Sequence, residues 1–157
     1  MGTQPSTTEL SNLESESGGG FVINGVDVND NSGFSVSAAG DVNGDGLDDV
    51  IIGAYLADPN GNSTSGSSYV VFGTESTDAI ELSTLEIEGG GGFVINGVDG
   101  NDFSGYSVSG AGDINGDGLD DVIIGAYQAD PNGNNSGSSY VVFGTCLLYT
   151  SPSPRDS

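Results

Sequence analysis

Two near-identical copies of one segment determine the kind of fold open to this chain. The sequence FVINGVD occurs at Phe21 and again at Phe93, an offset of 72 residues, and only six of 37 positions differ between 21–57 and its copy. The offset falls to 71 at Tyr69 and Tyr140, as expected for a one-residue change in a surface loop. A unit of this size buries little apolar surface by itself, so the two units are expected to stack on one another.

The repeat divides the 157-residue chain into five parts. These parts are an N-terminal spacer (1–20), a first repeat (21–73), a second spacer (74–92), a second repeat (93–145) and a tail (146–157). The tail, CLLYTSPSPRDS, contains the only Cys and the only basic residue, and it resembles the translation of a sequencing-library adapter. That resemblance predicts an artefactual tail on a fragment of a longer gene, and a natural disordered tail is the alternative. The opening residues, MGTQPSTTEL, show no signal peptide.

Short apolar runs bounded by Gly, Asn and Ser predict β-strands in each repeat. In the run 34–38 apolar residues alternate with Ser, which predicts a strand with one face on a core. No segment has helical periodicity, and the spacer segment 80–87 fits either a strand or a short helical turn. The four runs of the first repeat are 21–23, 34–38, 50–54 and 69–72. Four short strands per repeat predict an all-β fold of two four-stranded antiparallel β-propeller blades, which form part of a larger propeller.

The charge balance excludes several classes of function. The chain has 23 acidic residues, one basic residue and no His, for a formal net charge of −22. Such a chain repels nucleic-acid phosphates and anionic membrane surfaces. Without His or Lys it lacks an imidazole base and a Schiff-base amine. The longest apolar stretch, 50–57, is too short to cross a bilayer. The partner that suits this composition is a cation.

The segment DVNGDGLDD at 41–49, repeated as DINGDGLDD at 113–121, predicts a calcium site. Side-chain oxygens at alternate positions converge on one ion if the loop curls, and the Gly after the third ligand permits the turn. One backbone carbonyl and a fourth side chain complete a hard oxygen shell of the size that calcium accepts. The predicted ligands are Asp41, Asn43, Asp45, the Leu47 carbonyl and Asp49, and in the second copy Asp113, Asn115, Asp117, the Leu119 carbonyl and Asp121. Asp48 and Asp120 are expected to face solvent.

The acidic loops admit other interpretations. An EF-hand requires a Glu at position twelve, where this chain has Ile52 inside an apolar run, and an Asx-rich turn without metal is the plain alternative. The DPNGN segment at 58–62 could be a weaker cation site, although a Pro-directed turn is favoured. The acidic residues of 27–30 and 99–102 are expected to lie in solvated turns. Tyr55 and Tyr127 are expected to pack between blades.

The motifs GFSVS, DVNGDGLDD, VIIGA and GSSYVVFG resemble the FG-GAP repeat of integrin alpha-chain β-propellers. The resemblance covers nearly all of 21–144. It implies blades of four antiparallel strands with calcium in a hairpin loop between the two inner strands, so that 21–24 belongs to a preceding blade. The chain departs from the family pattern at Ser32-Gly33, where the family has Phe-Gly, and at Tyr55, where it has Pro. These departures weaken the analogy to integrin partner recognition.

The resulting hypothesis is a non-catalytic, calcium-binding extracellular or cell-surface module that serves adhesion by displaying a protein- or glycan-binding surface. Calcium, about one ion per repeat, is the predicted cofactor, and neither nucleic-acid binding nor membrane insertion is expected. The alternative is an accessory propeller of a secreted carbohydrate-active or phospholipase-type enzyme whose catalytic domain lies elsewhere in the gene. No catalytic residue is expected here, because the clustered Asp residues are assigned to metal.

Overall fold

The computed structural model describes residues 7–14, 19–87 and 89–146. This part of the chain forms nine β-strands and three short 3₁₀ turns, with no α-helix among the described residues. The strands are β1 (Ile23–Asn24), β2 (Ser35–Gly40), β3 (Asp49–Ala54), β4 (Ser67–Val71), β5 (Ile80–Glu81), β6 (Gly92–Asn96), β7 (Ser107–Gly112), β8 (Asp121–Ala126) and β9 (Ser138–Val142). The 3₁₀ turns are Leu10–Glu14, Pro59–Gly61 and Leu82–Glu86. Cys146 is an exposed free thiol, and the remainder of the predicted tail lies outside the described residues.

The first sheet, blade 1, has the order β2-β3-β4-β6, with antiparallel neighbours throughout. Its first three strands come from the first sequence repeat. Its fourth strand, β6, belongs to the second repeat and pairs with β4 from Ser67 opposite Asn96 to Val71 opposite Gly92. The hydrogen-bonded blade is therefore out of phase with the sequence repeat.

The second sheet, blade 2, has the order β7-β8-β9. Its strands repeat the register of blade 1, including the irregularity near the end of the first strand, at Gly110 and Gly112. The remaining strands, β1 and β5, form a short parallel pair. The all-β prediction is confirmed, and blade 1 has the predicted four strands, whereas blade 2 has three within the described part of the chain.

The two blades pack face to face through their inner strands. The shared core contains seven buried residues, namely Ala39, Val42, Ile51, Val70, Val108, Val122 and Ile124. Gly53 allows the close approach, because a Cβ at this position would lie 2.0 Å from the carbonyl oxygen of Gly105. The stacking predicted from the small size of each repeat is therefore present.

On the face of blade 1 that points away from blade 2, the spacer covers strands β4 and β6. Leu82 and Leu85 of the 3₁₀ turn are buried there with Tyr69 and Val71 of β4. Ile23 of β1 packs against the same cluster. The sequence left 80–87 open between strand and helical turn, and the structure contains one of each, β5 followed by the 3₁₀ turn.

On this same face of blade 1, the part formed by β2 is exposed. This contradicts the expectation that the apolar side of 34–38 packs on a core. The run 34–38 forms β2 as predicted, yet Phe34 is 54% exposed and Val36 is 63% exposed. The equivalent of Val36 in blade 2, Val108, is only 6% exposed, because blade 1 covers it. The alternation identified the apolar side of the strand correctly, but burial of that side requires a blade on it.

Candidate calcium loops

Each predicted calcium loop is the connection between the first two strands of a blade. The first loop begins after β2 ends at Gly40, and its last predicted ligand, Asp49, is the first residue of β3. The second loop joins β7 to β8 in the same way, from Asp113 to Asp121. The prediction of a hairpin loop, rather than a helix-loop-helix unit, agrees with these strand boundaries.

Asp41 organises the first loop. Its Oδ1 accepts hydrogen bonds from the backbone N–H groups of Gly44, at 2.8 Å, and Asp45, at 3.1 Å, and its Oδ2 accepts one from Gly46 at 2.9 Å. Gly44 and Gly46 have φ values of +77° and +87°, which side chains other than Gly rarely adopt. The backbone therefore wraps around one carboxylate.

Asn43 and Asp45 lie beside each other in the same loop. The Nδ2 of Asn43 donates to Oδ2 of Asp45, and the backbone N–H of Asp45 donates to Oδ1 of Asn43, both at 3.2 Å. The backbone N–H of Leu47 donates to Oδ1 of Asp45 at 2.8 Å. Asn43 and Asp45 therefore contact each other through their side chains, next to the backbone segment that wraps around the Asp41 carboxylate.

Asp49 lies beneath the loop and is 2% exposed. Its Oδ2 accepts the backbone N–H of Val42 at 2.7 Å, and its Oδ1 accepts that of Gly73 at 2.8 Å. The carboxylate therefore links the loop, the start of β3 and the residues after β4. Burial raises the pKa of Asp49 above its ordinary value, the two backbone hydrogen bonds oppose this, and the charges of Asp45 and Asp41 add to the rise.

The second loop repeats this arrangement. Oδ1 of Asp113 accepts the N–H of Asp117 at 3.1 Å, and its Oδ2 accepts that of Gly118 at 2.8 Å. Asp121 is fully buried, and its two oxygens accept the N–H groups of Ile114, at 2.7 Å, and Gly144, at 2.9 Å. Apart from the bond that the Gly44 N–H donates to Asp41, the two loops share the same hydrogen-bond pattern.

The donor set of each loop suits a hard cation. It consists only of carboxylate, amide and carbonyl oxygens, which are the ligands that calcium takes. Among the described residues, no three Asp, Glu, His or Cys side chains converge closely enough to form a recognisable metal cluster. The oxygen donors and the curvature of each loop suit calcium. The last predicted ligand of each loop, Asp49 or Asp121, is buried, and its carboxylate already accepts two backbone hydrogen bonds.

Asp120 has a role that the sequence did not suggest. It was expected to face solvent, as the exposed Asp48 does. Instead, its Oδ2 accepts the backbone N–H of Asp41 at 2.8 Å, which ties the second loop to the first. The expectation for Asp120 was wrong because this bond crosses between blades. Gly40 makes room for this contact, since a Cβ there would lie 2.2 Å from Oδ2 of Asp120.

The other acidic loops meet at the opposite ends of the strands. Asp27, Asp30 and Asp58 line a cavity of about 320 Å³, and their counterparts Asp99, Asp102 and Asp130 line one of about 340 Å³. Burial raises the pKa values of Asp30 and Asp102 above the ordinary range. Oδ1 of Asp58 accepts the N–H of Thr64 at 2.6 Å, as in the turn that the sequence favoured.

Five aromatic rings form a cluster across the boundary between the blades. Tyr106 contacts three of them, with centroid distances of 4.6 Å to Tyr127, 5.1 Å to Tyr55 and 5.1 Å to Phe34. Phe103 completes the cluster by stacking on Tyr127. Phe34 and Tyr127 remain about half exposed, so these rings both join the blades and form an aromatic surface. We call these five residues the aromatic patch.

The FG-GAP repeat family model matches residues 32–71 and 104–142, which together make up half of the chain. The chain therefore belongs to the FG-GAP repeat family, and its antiparallel sheets are blades of the β-propeller type.

Within that family, the chain is similar to integrin alpha chains. It is 40% identical to "Integrin alpha pat-2" of Caenorhabditis elegans over 99 residues, which cover 62% of this chain and 7% of the relative. It is 36% identical to "Integrin alpha-2" of Mus musculus over 94 residues, 60% of this chain and 7% of the relative. It is 32% identical to "Integrin alpha-PS2" of Drosophila melanogaster over 129 residues, 80% of this chain and 8% of the relative. The chain thus spans less than a tenth of the length of each of these relatives.

In the part of the chain that the structure describes, no helix has the length and apolar character needed to cross a membrane.

Proposed function

We propose that this chain is a calcium-binding, non-catalytic module of a larger extracellular β-propeller. The observation that carries the proposal is the occurrence of two hairpin loops with the same oxygen-only donor set and the same hydrogen-bond pattern, described above for Asp41 and Asp113. Calcium prefers six to eight such oxygens, and extracellular calcium is abundant enough to fill weak sites. Each repeat, 21–73 and 93–145, would carry one ion.

In the proposed sites, Asp41, Asn43, Asp45, the Leu47 carbonyl and Asp49 hold the first ion, and Asp113, Asn115, Asp117, the Leu119 carbonyl and Asp121 hold the second. Bound calcium supplies positive charge where several carboxylates lie close together. The residues of the chain supply the geometry, because the Asp41 and Asp113 carboxylates already curl their loops through backbone N–H groups. The module would therefore bind calcium with little reorganisation of the backbone.

The aromatic patch supports a second part of the proposal, the display of a binding surface. Tyr106 and Tyr127 are 38% and 48% exposed and contact each other at 4.6 Å. Exposed, preordered Tyr rings provide contact area at a low cost in side-chain entropy and suit extracellular proteins and glycans alike. The similarity to integrin alpha chains, which we take as the model for an adhesive role at the cell surface, agrees with such a surface.

A catalytic role within this chain has no support from its carboxylates. Two of the buried carboxylates, Asp49 and Asp121, accept backbone hydrogen bonds with both oxygens. The other two, Asp30 and Asp102, have no His or Lys to work with, because the chain contains neither. We therefore propose that the module is not an enzyme.

Calorimetric titration of the whole chain with calcium tests the metal sites. We expect two sites per chain, and we expect both to be lost in the double variant Asp45→Asn, Asp117→Asn. The matched control is Asp48→Asn, Asp78→Asn, which removes the same two charges from exposed positions and should leave both sites intact. Absence of binding by the parent chain, or equal loss in both double variants, would contradict the proposal.

A further inference from the structure

The last strand of blade 2, β9, has a neighbour on one side only. In blade 1 the equivalent strand, β4, lies between β3 and β6. Both strands have the sequence SSYVV. Within the described residues β9 pairs with β8 alone. An unpaired strand edge of this kind can accept another strand.

The chain contains a second copy of the sequence that pairs with β4. The fourth strand of blade 1, β6, has the sequence GFVIN at 92–96, and the same five residues occur at 20–24 around β1. Because β4 and β9 are also identical in sequence, a pairing of 20–24 with β9 would reproduce every contact of the β4–β6 pairing that depends on these two segments.

The free edge of β1 is the edge that such a pairing requires. The Ile80 N–H donates to the Val22 carbonyl at 2.9 Å, so Val22 faces β5, and strand alternation directs the backbone groups of Phe21 and Ile23 to the opposite side. In blade 1 the N–H of Phe72 donates to the Gly91 carbonyl, and the N–H of Gly97 donates to the Gly66 carbonyl. The backbone groups of the odd-numbered residues of β6 are therefore the ones directed at β4. Phe21 and Ile23 are the counterparts of those odd-numbered residues, and β1 can remain paired with β5.

The two ends of the molecule expose complementary apolar faces. On the outer face of blade 2, Ile114 is 56% and Val141 is 41% exposed, whereas their counterparts in blade 1, Val42 and Val70, are at most 1% exposed. These counterparts are buried because blade 2 covers them.

The opposite holds at the other end of the molecule. On the outer face of blade 1, Val36 is 63% and Val50 is 37% exposed, whereas Val108 and Val122 of blade 2 are 6% and 0% exposed. Each exposed face therefore has the composition of a face that is buried between the two blades, and the observed contact between blades shows how the two faces fit together.

We propose that copies of this chain associate head to tail, with residues 20–24 of one copy added to β9 of the next as the fourth strand of its blade 2. The register follows that of β6 on β4 and places Asn24 opposite Ser138, Val22 opposite Tyr140 and Gly20 opposite Val142. This contact joins two different surfaces, so it closes into a ring when the rotation allows. Propellers have about four to eight blades, which corresponds to about two to four copies. The association does not depend on calcium binding, although a charge of −22 per copy opposes it at low ionic strength.

Sedimentation equilibrium of the whole chain over a concentration series, at physiological salt, measures the association. We expect masses at multiples of 15.7 kDa. Val141→Lys places a charge on the outer face of blade 2 and should give the mass of a single chain. Ile87→Lys is the matched control, because Ile87 is also exposed but lies in the spacer, and it should associate like the parent.

Gly125→Ala is a second variant whose fold should be unaffected. A Cβ at Gly125 has no atom closer than 3.6 Å, whereas at its counterpart Gly53 it would lie 2.0 Å from the backbone oxygen of the next blade. The variant should retain the circular dichroism spectrum of the parent and remain a single chain. A parent that stays a single chain at all concentrations, or variants that associate as the parent does, would overturn the proposal.

A cysteine pair tests the register. In a Cys146→Ser background, Val22→Cys and Tyr140→Cys would face each other as a non-hydrogen-bonded pair between copies, a separation that suits a disulfide. Oxidation should give a ladder of linked chains on a non-reducing gel. The shifted pair Val22→Cys and Ser138→Cys lies on a diagonal and should link poorly. Equal linking of the two pairs would contradict the proposed register.

Discussion

At the scale of single residues, the buried carboxylates Asp49 and Asp121 join segments that are distant in the sequence. Asp121 lies 23 positions before Gly144, whose N–H it accepts, and seven after Ile114. Both oxygens of this buried group accept backbone hydrogen bonds, so it links the loop to the residues after β9. We expect these two hydrogen bonds to stabilise the hairpin without a bound ion.

Replacing Asp121 should therefore destabilise the chain in the presence of chelator. Asp121→Asn exchanges one acceptor oxygen for an NH₂ group and leaves a backbone N–H without its acceptor, which costs about 1–3 kcal/mol of unfolding free energy. Urea denaturation followed by circular dichroism measures the loss. Asp48→Asn, at an exposed position, should change the unfolding free energy by no more than about 0.5 kcal/mol. Equal effects of the two substitutions would show that the buried hydrogen bonds do not stabilise the fold.

Asp102 should make the stability depend on pH. It is 7% exposed, burial raises its pKa, and the charges of Asp99 and Asp130 add to the rise. A native state that binds this proton more tightly than the unfolded state gains stability below the ordinary Asp pKa of about 3.9 and loses it as pH rises through the raised value.

Asp102→Asn should therefore be more stable than the parent at neutral pH, and this advantage should disappear at pH values below about 3.9. Urea unfolding at a series of pH values measures the difference. Asp78→Asn, at an exposed site, controls for the loss of one charge from the whole chain. A stability difference that stays constant with pH would contradict the assignment to this carboxyl group.

At the scale of elements, the spacer contributes to the core although its sequence looks like a linker. Leu82 is 0% exposed and packs with the outer strands of blade 1, whereas Ile87, five residues later, is 66% exposed. The 3₁₀ turn that carries Leu82 is too short to be stable alone, so these contacts determine its position.

Leu82→Ala should lower the free energy of unfolding by about 2–5 kcal/mol, as large-to-small substitutions in packed cores do. Ile87→Ala removes a comparable side chain from the surface and should have an effect within about 0.5 kcal/mol. Chemical denaturation of both variants at the same protein concentration makes the comparison. A small effect at Leu82 would mean that the spacer packs loosely on blade 1.

Much of the element level could be predicted from the sequence, because it depends on local patterns. The alternation in 34–38, the apolar run 50–54 and the Asp/Asn/Gly loop each correspond to the predicted element. Long-range pairings could not be derived in this way. The partner of β6, the bond from Asp41 to Asp120 and the exposure of Val36 all depend on which blade lies next to which.

At the scale of the whole molecule, charge repulsion opposes the fold. The chain has a formal charge of −22 and a single basic residue. The two proposed calcium loops are neighbours across the blade boundary, because Asp120 of the second loop accepts the backbone N–H of Asp41 in the first. Cations that bind the folded chain reduce this repulsion and also stabilise it by mass action.

Calcium should therefore raise the unfolding temperature of the chain. At free calcium about 100 times the dissociation constant, each site adds about 2.7 kcal/mol to the unfolding free energy. Thermal melts in calcium, in equal magnesium and in chelator measure the effect, and the increase should be largest in calcium because magnesium demands stricter octahedral geometry. Equal increases in the two metals would indicate general charge screening in place of specific sites.

The pairing of β6, a strand of the second repeat, with β4 of the first repeat has a consequence for a chain that a protease has cut once. A protease cut between β4 and β6 would leave the N-terminal piece without a covalent link to blade 2. Yet β6, still attached to the C-terminal piece, is paired with β4 over five residue positions, and the two blades share a buried core. The two pieces should therefore elute as one particle in gel filtration and separate only under denaturing conditions.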